Sequence, residues 1–211
     1  MRRRELLTAA GLPAIGLLSI ASTASSRDGS EACRSLDDLL GRRRMVRRYR
    51  SNPVPDDVVN RLIAAAVRAP SAGHTQPWAF VVVRDADRRR ALAEAALGQM
   101  FVAEAPVVIV ACAELERSRG RYGERGDQYA VIDTAFACSL LLLAVVEEGL
   151  GACFVGAFHD AEVARILALP RDVKPIAVIS IGHPAETPSP RKLRRPREVI
   201  HRERWILSPP S

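Results

Sequence analysis

The sequence predicts an α+β domain, a sheet of three or four strands flanked by helices. Three observations carry that expectation. Apolar runs of strand length occur at 78–83, 106–112, 153–155 and 176–181. One long helical pattern runs from about 128 to 148 and is apolar at nearly every position from Leu140 to Val146. Helices and strands do not alternate regularly, as a doubly wound parallel sheet would require.

Taken in order, Ser35 is placed to cap a helix through Leu36, Leu39 and Leu40 that ends in the basic run 42–49. Asn52-Pro53-Val54-Pro55 is a break. Asp56 then caps a helix whose stripe is Val58, Val59, Leu62, Ile63 and Ala66, spaced three and four apart. Residues 69–77 read as a polar loop bounded by proline and glycine. A strand at 78–83 and a helix at 85–97 follow. The continuous apolar character of 106–112 marks a strand buried on both faces. Residues 117–125 read as a charged loop. The long helix is central and covered on most sides. Gly149-Leu150-Gly151 stops it, glycine being the usual residue just past a helix. A strand at 153–155, a helix at 160–167 and a strand at 176–181 complete the domain. From Ala185 to Trp205 the chain is proline-rich, basic and extended.

Composition narrows the classes. Of 211 residues, 48% are hydrophobic and 26% charged, which excludes a disordered chain and a coiled coil. The net charge is +7, and Lys174 and Lys192 are the only lysines among 31 basic residues. Bases interleave with acids, aromatics are 5%, and no recognition motif appears, so a nucleic-acid partner is not expected. No run of about 20 uninterrupted apolar residues occurs, so no stable membrane span is expected. Glycine-rich nucleotide loops and nucleophile elbows are absent. The four cysteines form no C-x-x-C pair and the four histidines are scattered, so zinc is unsupported. Cys112 and Cys138 lie in apolar runs and read as buried thiols. A disulfide is possible in an exported chain, with the pairing open.

The N-terminus reads MRRRE and then a mild apolar run at 6–24. A charged start, an apolar run and small residues before a cleavage point after Ala24 describe a signal peptide. Arg3-Arg4-Glu5-Leu6-Leu7 has the form of a twin-arginine export signal. The expected organisation is a signal at 1–24, a linker at 25–34, one domain at 35–205 and a tail at 206–211. The alternative is a cytoplasmic protein with an N-terminal tail.

Three features suit a flat polyanionic ligand. Arg43, Arg44 and Arg47 offer planar donor forks that match phosphate, and helical spacing would bring them onto one face. The loop carrying Pro70, Ser71, His74 and Gln76 offers hydrogen-bonding side chains and free amides around Gly73. The tail carries Arg191-Lys192-Leu193-Arg194-Arg195. From spacing alone, each is also readable as a solvated basic face or a plain turn.

In this order, the pieces resemble the FMN-dependent nitroreductase family. The likeness runs through Arg43-Arg44-Met45-Val46-Arg47-Arg48-Tyr49, a Pro-x-Pro break, and Ala69-Pro70-Ser71-Ala72-Gly73-His74-Thr75-Gln76-Pro77-Trp78. It continues through Asp133 and the long helix, Gly149-Leu150-Gly151, Gly156-Ala157-Phe158, Gly182-His183-Pro184 and a basic tail near His201 and Trp205. The resemblance implies a mixed sheet flanked by helices and an intertwined homodimer with FMN at the subunit interface. It implies FMN contacts from Arg43, Arg44, Met45 and Arg47, and from Pro70, Ser71, His74 and Gln76 of the loop, usually the partner's. Gly151 and Gly156 would flank the isoalloxazine edge, and Lys192 and Arg194 the phosphate. Met45 stands where the family has serine, which removes a hydroxyl donor. His74 stands where it has asparagine, which removes an amide's paired donor and acceptor.

The implied activity passes two electrons from NAD(P)H through FMN to a small electron-poor acceptor such as a nitroaromatic or quinone. The flavin does the chemistry. Arg47 is the candidate for positive charge beside flavin N1 and O2. Alternatives within the resemblance are dehalogenation, dehydrogenation, or flavin binding without catalysis. Export would separate the protein from cytosolic nicotinamide and require another donor or action before export.

Overall fold

A computed structural model of the chain describes residues 35–205. The expected signal and linker, Cys33 and the tail at 206–211 lie outside the described residues.

Four strands form one sheet. They are β1 (Trp78–Val83), β2 (Val107–Glu114), β3 (Gly151–Val155) and β4 (Val173–Gly182), in the order β1-β2-β4-β3, each pair antiparallel. A parallel bridge from Met45 to Ala152 adds to the β3 edge. Side chains alternate across a strand, so the central strands feed two cores. Ile109, Ala111, Ile179 and Ile181 face α2 (Asp56–Ala66) and α6 (Arg125–Glu147). Val108, Val110, Cys112 and Val178 face α3 (Ala86–Ala95), α4 (Phe101–Glu104) and α7 (Asp160–Ile166). Burial on both faces is why β2 and β4 lack any polar alternation.

Helix α6 is 23 residues long and buries Ala130, Asp133, Ala137, Cys138, Leu141 and Val145. Its opposite face keeps Ile132 40% and Phe136 48% exposed. Among the described residues it is the one helix long and apolar enough to cross a membrane, and here its buried stripe packs on the sheet and on α2. Gly149, in the left-handed region at φ +72°, ends it. Arg61 of α2 grips Glu148 through Nε at 2.7 Å and Nη2 at 2.9 Å, and reaches Asp57 at 2.7 Å, tying α2 to the end of α6.

Several local expectations change. Pro55, not Asp56, is the N-cap of α2; Asp56 is its first residue and pairs with Arg84 at 2.6 Å. The stretch expected as a loop at 117–125 is mostly helical, α5 (Leu115–Tyr122), because it packs on the start of α6. The short helix α4 carries no sequence signal of its own. The basic run is not helical. Helix α1 (Leu36–Arg42), capped by Ser35 as expected, ends at Arg42, and Arg43 turns to φ −58°, ψ 121°. The chain then runs extended because Val46 N donates to Ala152 O at 2.9 Å and Tyr49 bridges Pro184. Cys112, Cys138 and Cys153 are buried free thiols, and burial pushes Cys112 and Cys138 up to about 12.

Candidate functional site

The extended segment from Arg43 to Arg50 meets β3 at Met45 and Val46 and then runs beside His183 to Ala185. Val46 packs against Gly151 so closely that a Cβ on Gly151 would lie 2.8 Å from the Val46 Cβ. Only glycine permits that approach. The segment is also held from the far side. Glu186 Oε1 accepts from Arg47 N at 2.6 Å and Arg48 N at 3.1 Å, and Oε2 accepts from Arg48 Nε at 3.3 Å. These donors, the Arg47 N–H foremost, hold the Glu186 carboxyl below its usual range.

Between this segment and the end of α6 is a cavity of about 210 Å³. Arg42, Arg43 and Arg44 line it, with Leu142, Val145, Gly151 and Glu186. Arg44 Nη1 donates to Arg43 O at 2.8 Å and Arg42 Nη1 to Asp38 Oδ2 at 3.3 Å, so two of the three forks are partly engaged within the chain. Arginines lining one cavity suit an anion with several oxygens.

The second element is the turn from Ser71 to Gln76. Gly73, His74 and Gln76 have φ of +54°, +58° and +47°. For His74 and Gln76 that conformation costs on the order of 1 kcal/mol each, and persists only where the surroundings over-determine it. They do. Ser71 O accepts from His74 N at 3.0 Å and Ser71 Oγ from Gln76 N at 3.1 Å. Asp133 Oδ2, from α6, accepts from Ala72 N at 3.0 Å. Helix α5 takes the loop's carbonyls: Arg117 Nε donates to Thr75 O at 2.9 Å and Arg121 Nη1 to Gly73 O at 3.2 Å. Ser118 and Thr75 hydroxyls meet at 3.1 Å.

Asp133 is the one charged residue among the buried residues of α6, 4% exposed. Burial raises its pKa, and the Ala72 N–H partly opposes that. A carboxyl whose folded pKa is raised holds its proton more tightly folded than unfolded. Its charge therefore costs stability at neutral pH, and the cost is relieved as pH falls through the folded value toward the ordinary one near about 4. Asp133→Asn keeps an acceptor and removes the charge; its melting temperature at neutral pH is expected to equal or exceed the wild type's, and acidification should favour the wild type relative to it. Asp133→Ala leaves the Ala72 N–H unpaired and is expected to cost about 1–3 kcal/mol. Melting curves across pH check both.

The structure gathers only some of the sequence-derived candidates within one chain. Arg43, Arg44 and Gly151 share the cavity. Met45 packs its side chain into the second core. Strand alternation, in place of helical spacing, turns Arg47 away: its guanidinium lies 5.6 Å over the Phe101 ring. Pro70, Ser71, His74 and Gln76 belong to the turn, with Pro70 and His74 exposed. Gly156 is exposed just past β3. Lys192 is exposed, and Arg194 Nη2 donates to Glu198 O at 2.7 Å within the tail's own turn. The residues missed by sequence reasoning are those that hold these groups: Glu186, Arg117, Arg121 and the structural role of Asp133. Asp133 and Glu186 each left a trace, an acid in an apolar helix and an acid in a basic stretch.

Comparisons with known proteins identify the family of the fold. A model of the nitroreductase family matches residues 40–105 and 97–183. A Thermus thermophilus protein named NADH dehydrogenase is 39% identical over 173 residues, covering 69% of this chain and 84% of the relative. A Bacillus subtilis protein named FMN reductase, NAD(P)H, is 29% identical over 193 residues, covering 85% and 76%. The crystal structure of a nitroreductase family protein from Streptococcus pneumoniae superposes with a TM-score of 0.72 at 25% identity, covering 78% of this chain and 98% of that one.

Proposed function

Because the chain belongs to the nitroreductase family, we propose that it is an FMN-dependent oxidoreductase that takes two electrons from NAD(P)H and delivers them to a small electron-poor acceptor, such as a nitroaromatic or a quinone. The observation that carries the reading is the arginine-lined cavity beside Gly151. Its residues fit FMN: Arg43 and Arg44 match a phosphate, and the Gly151 contact lets backbone come close enough to border a flat ring. Ser71, His74 and Gln76 supply the polar edge such a ring needs.

The chemistry that bound flavin supplies is two-electron transfer from a nicotinamide to the acceptor. The protein's part is to bind and to orient. Glu186 fixes the backbone that carries the arginines, so their donors are aimed before a ligand arrives. No protein nucleophile is needed.

The same reading includes a homodimer. On one chain, Asp133 beneath the turn and the cavity-lining Leu142 and Val146 are separated by about 14–20 Å along α6 at its 1.5 Å rise. Turn and cavity thus sit at opposite halves of one helix. A second copy packed antiparallel on the exposed Ile132 and Phe136 face would set the turn of one subunit against the cavity of the other. That pairing also covers the apolar stripe.

The test is the visible spectrum of the purified protein. Oxidised-flavin bands, FMN released on denaturation at about one per subunit, and bleaching by NAD(P)H without oxygen are the expected results. A colourless protein that takes up no added FMN would overturn the reading.

A further inference from the structure

The charged stretch beside the turn carries more than its structural bonds require. Four arginines stand on or next to α5, and they divide into two kinds. Arg119 is neutralised, by Asp127 at Oδ2 2.7 Å from Nη2 and by Glu116 at 2.8 Å. Arg117 lies 3.7 Å from Glu114 and spends Nε on Thr75 O. Arg121 and Arg125 have no carboxylate within ion-pair distance among the described residues; Glu124, between them in sequence, pairs with neither.

Those two cations sit on aromatic rings. Arg121 lies 5.9 Å over the Tyr122 ring and Arg125 5.4 Å over the Tyr129 ring. The two rings meet edge to face at 4.9 Å. The cluster abuts the turn directly. A Cβ built on Gly73 would lie 2.5 Å from the Tyr122 hydroxyl, and Arg121 Nη1 already reaches Gly73 O. His74, next in sequence, is exposed beside it. Two uncompensated guanidiniums, two ring faces and the turn that borders the expected flavin edge thus form one surface.

We propose that this surface selects the electron acceptor, and that it favours aromatic acceptors carrying a carboxylate. A guanidinium fork binds a carboxylate through two parallel hydrogen bonds, while the tyrosine rings pack against the arene in offset or edge geometry. A neutral arene of the same shape gains only the second. The inference rests on the flavin and homodimer reading above, which sets this turn against the cavity of the second copy.

The test uses the FMN-loaded full chain and a matched pair, para-nitrobenzoate and para-nitrobenzamide. Equilibrium binding to the oxidised protein is measured by calorimetry, and kcat/KM is measured for both with NADH and with NADPH. The anion is expected to bind about tenfold tighter than the amide, the scale of one charge-assisted contact. Added salt should weaken the anion and leave the amide unchanged. In Arg125→Ala the ratio should fall toward one, while Arg121→Lys, which keeps the charge but not the fork, should lose part of it. Ratios within one variant cancel any general loss of folding or of turnover. Equal binding of the pair by wild type, or a ratio unmoved by Arg125→Ala, overturns the proposal and leaves the flavin reading standing. A protein that takes up no FMN overturns both.

Discussion

Gly126→Ala is expected to destabilise the protein by about 3 kcal/mol or more, the upper range for overpacking a closed contact. Helix propensity alone argues the reverse, since alanine is favoured over glycine inside a helix by about 1 kcal/mol. The contact decides the sign. Gly126 is buried in the first turn of α6, and a Cβ there would lie 2.5 Å from Ser118 C and Arg119 N and 2.6 Å from Ser118 O. These are backbone atoms of α5, which cannot swing aside as a side chain does, so the helix itself must move. Helix α5 carries Arg117, Ser118 and Arg121, the groups that hold the turn at Thr75 and Gly73. The displacement should therefore reach His74 and Gln76. Faster amide exchange in α5 and the turn, with the strands still protected, is the expected signature. Gly120→Ala is the matched control: it lies in α5 with nothing within 4 Å of its Cβ, so it should stabilise by about 0.5–1 kcal/mol. If both substitutions stabilise, the close packing of α5 on α6 is wrong.

That helix pair also explains what the sequence concealed. Helix α2 announces itself because burial imposes a period on its apolar residues, and β1 and α6 because their apolar runs are nearly continuous over strand and helix length. Helix α5 has no such period: its single fully buried residue is Ser118, and what keeps it helical is Gly126 beneath it and Arg119 clamped to Asp127. None of that is local. The basic run misleads for a related reason. Arg42 to Arg44 carry no pattern that separates helix from strand, and the choice is made by Ala152, remote in sequence, whose carbonyl takes the Val46 N–H. The candidate residues were legible as chemical types, arginines for an anion and a polar turn for a ring edge. Their grouping was not, because it depends on Glu186 and Asp133 acting as distant acceptors for backbone N–H groups.

The contact between Val46 and Gly151 offers the sharpest test of how fold and site are joined. Gly151→Ala puts a Cβ 2.8 Å from both Cβ and Cγ2 of Val46 and 2.9 Å from its Cγ1. Val46 is 5% exposed and branched at Cβ, so no rotamer clears all three atoms. The strain can be relieved only by moving the basic segment off β3, against the Val46 N to Ala152 O bond and the three bonds to Glu186. A loss of about 1–3 kcal/mol is expected, together with weaker FMN binding, because Arg43 and Arg44 ride on that segment. Val46→Ala alone should cost about 1.6 kcal/mol for two buried methyl groups. The double substitution should cost less than the two single ones added, since it removes the Cγ1 and Cγ2 contacts and leaves only the contact between the two Cβ atoms, with a coupling of about 1 kcal/mol. FMN affinity should recover in part. Strict additivity in both readouts would mean that the segment does not lie against Gly151. Recovered stability without recovered FMN binding would mean that Arg43 and Arg44 do not hold the phosphate, and would separate the fold from the function assigned to it.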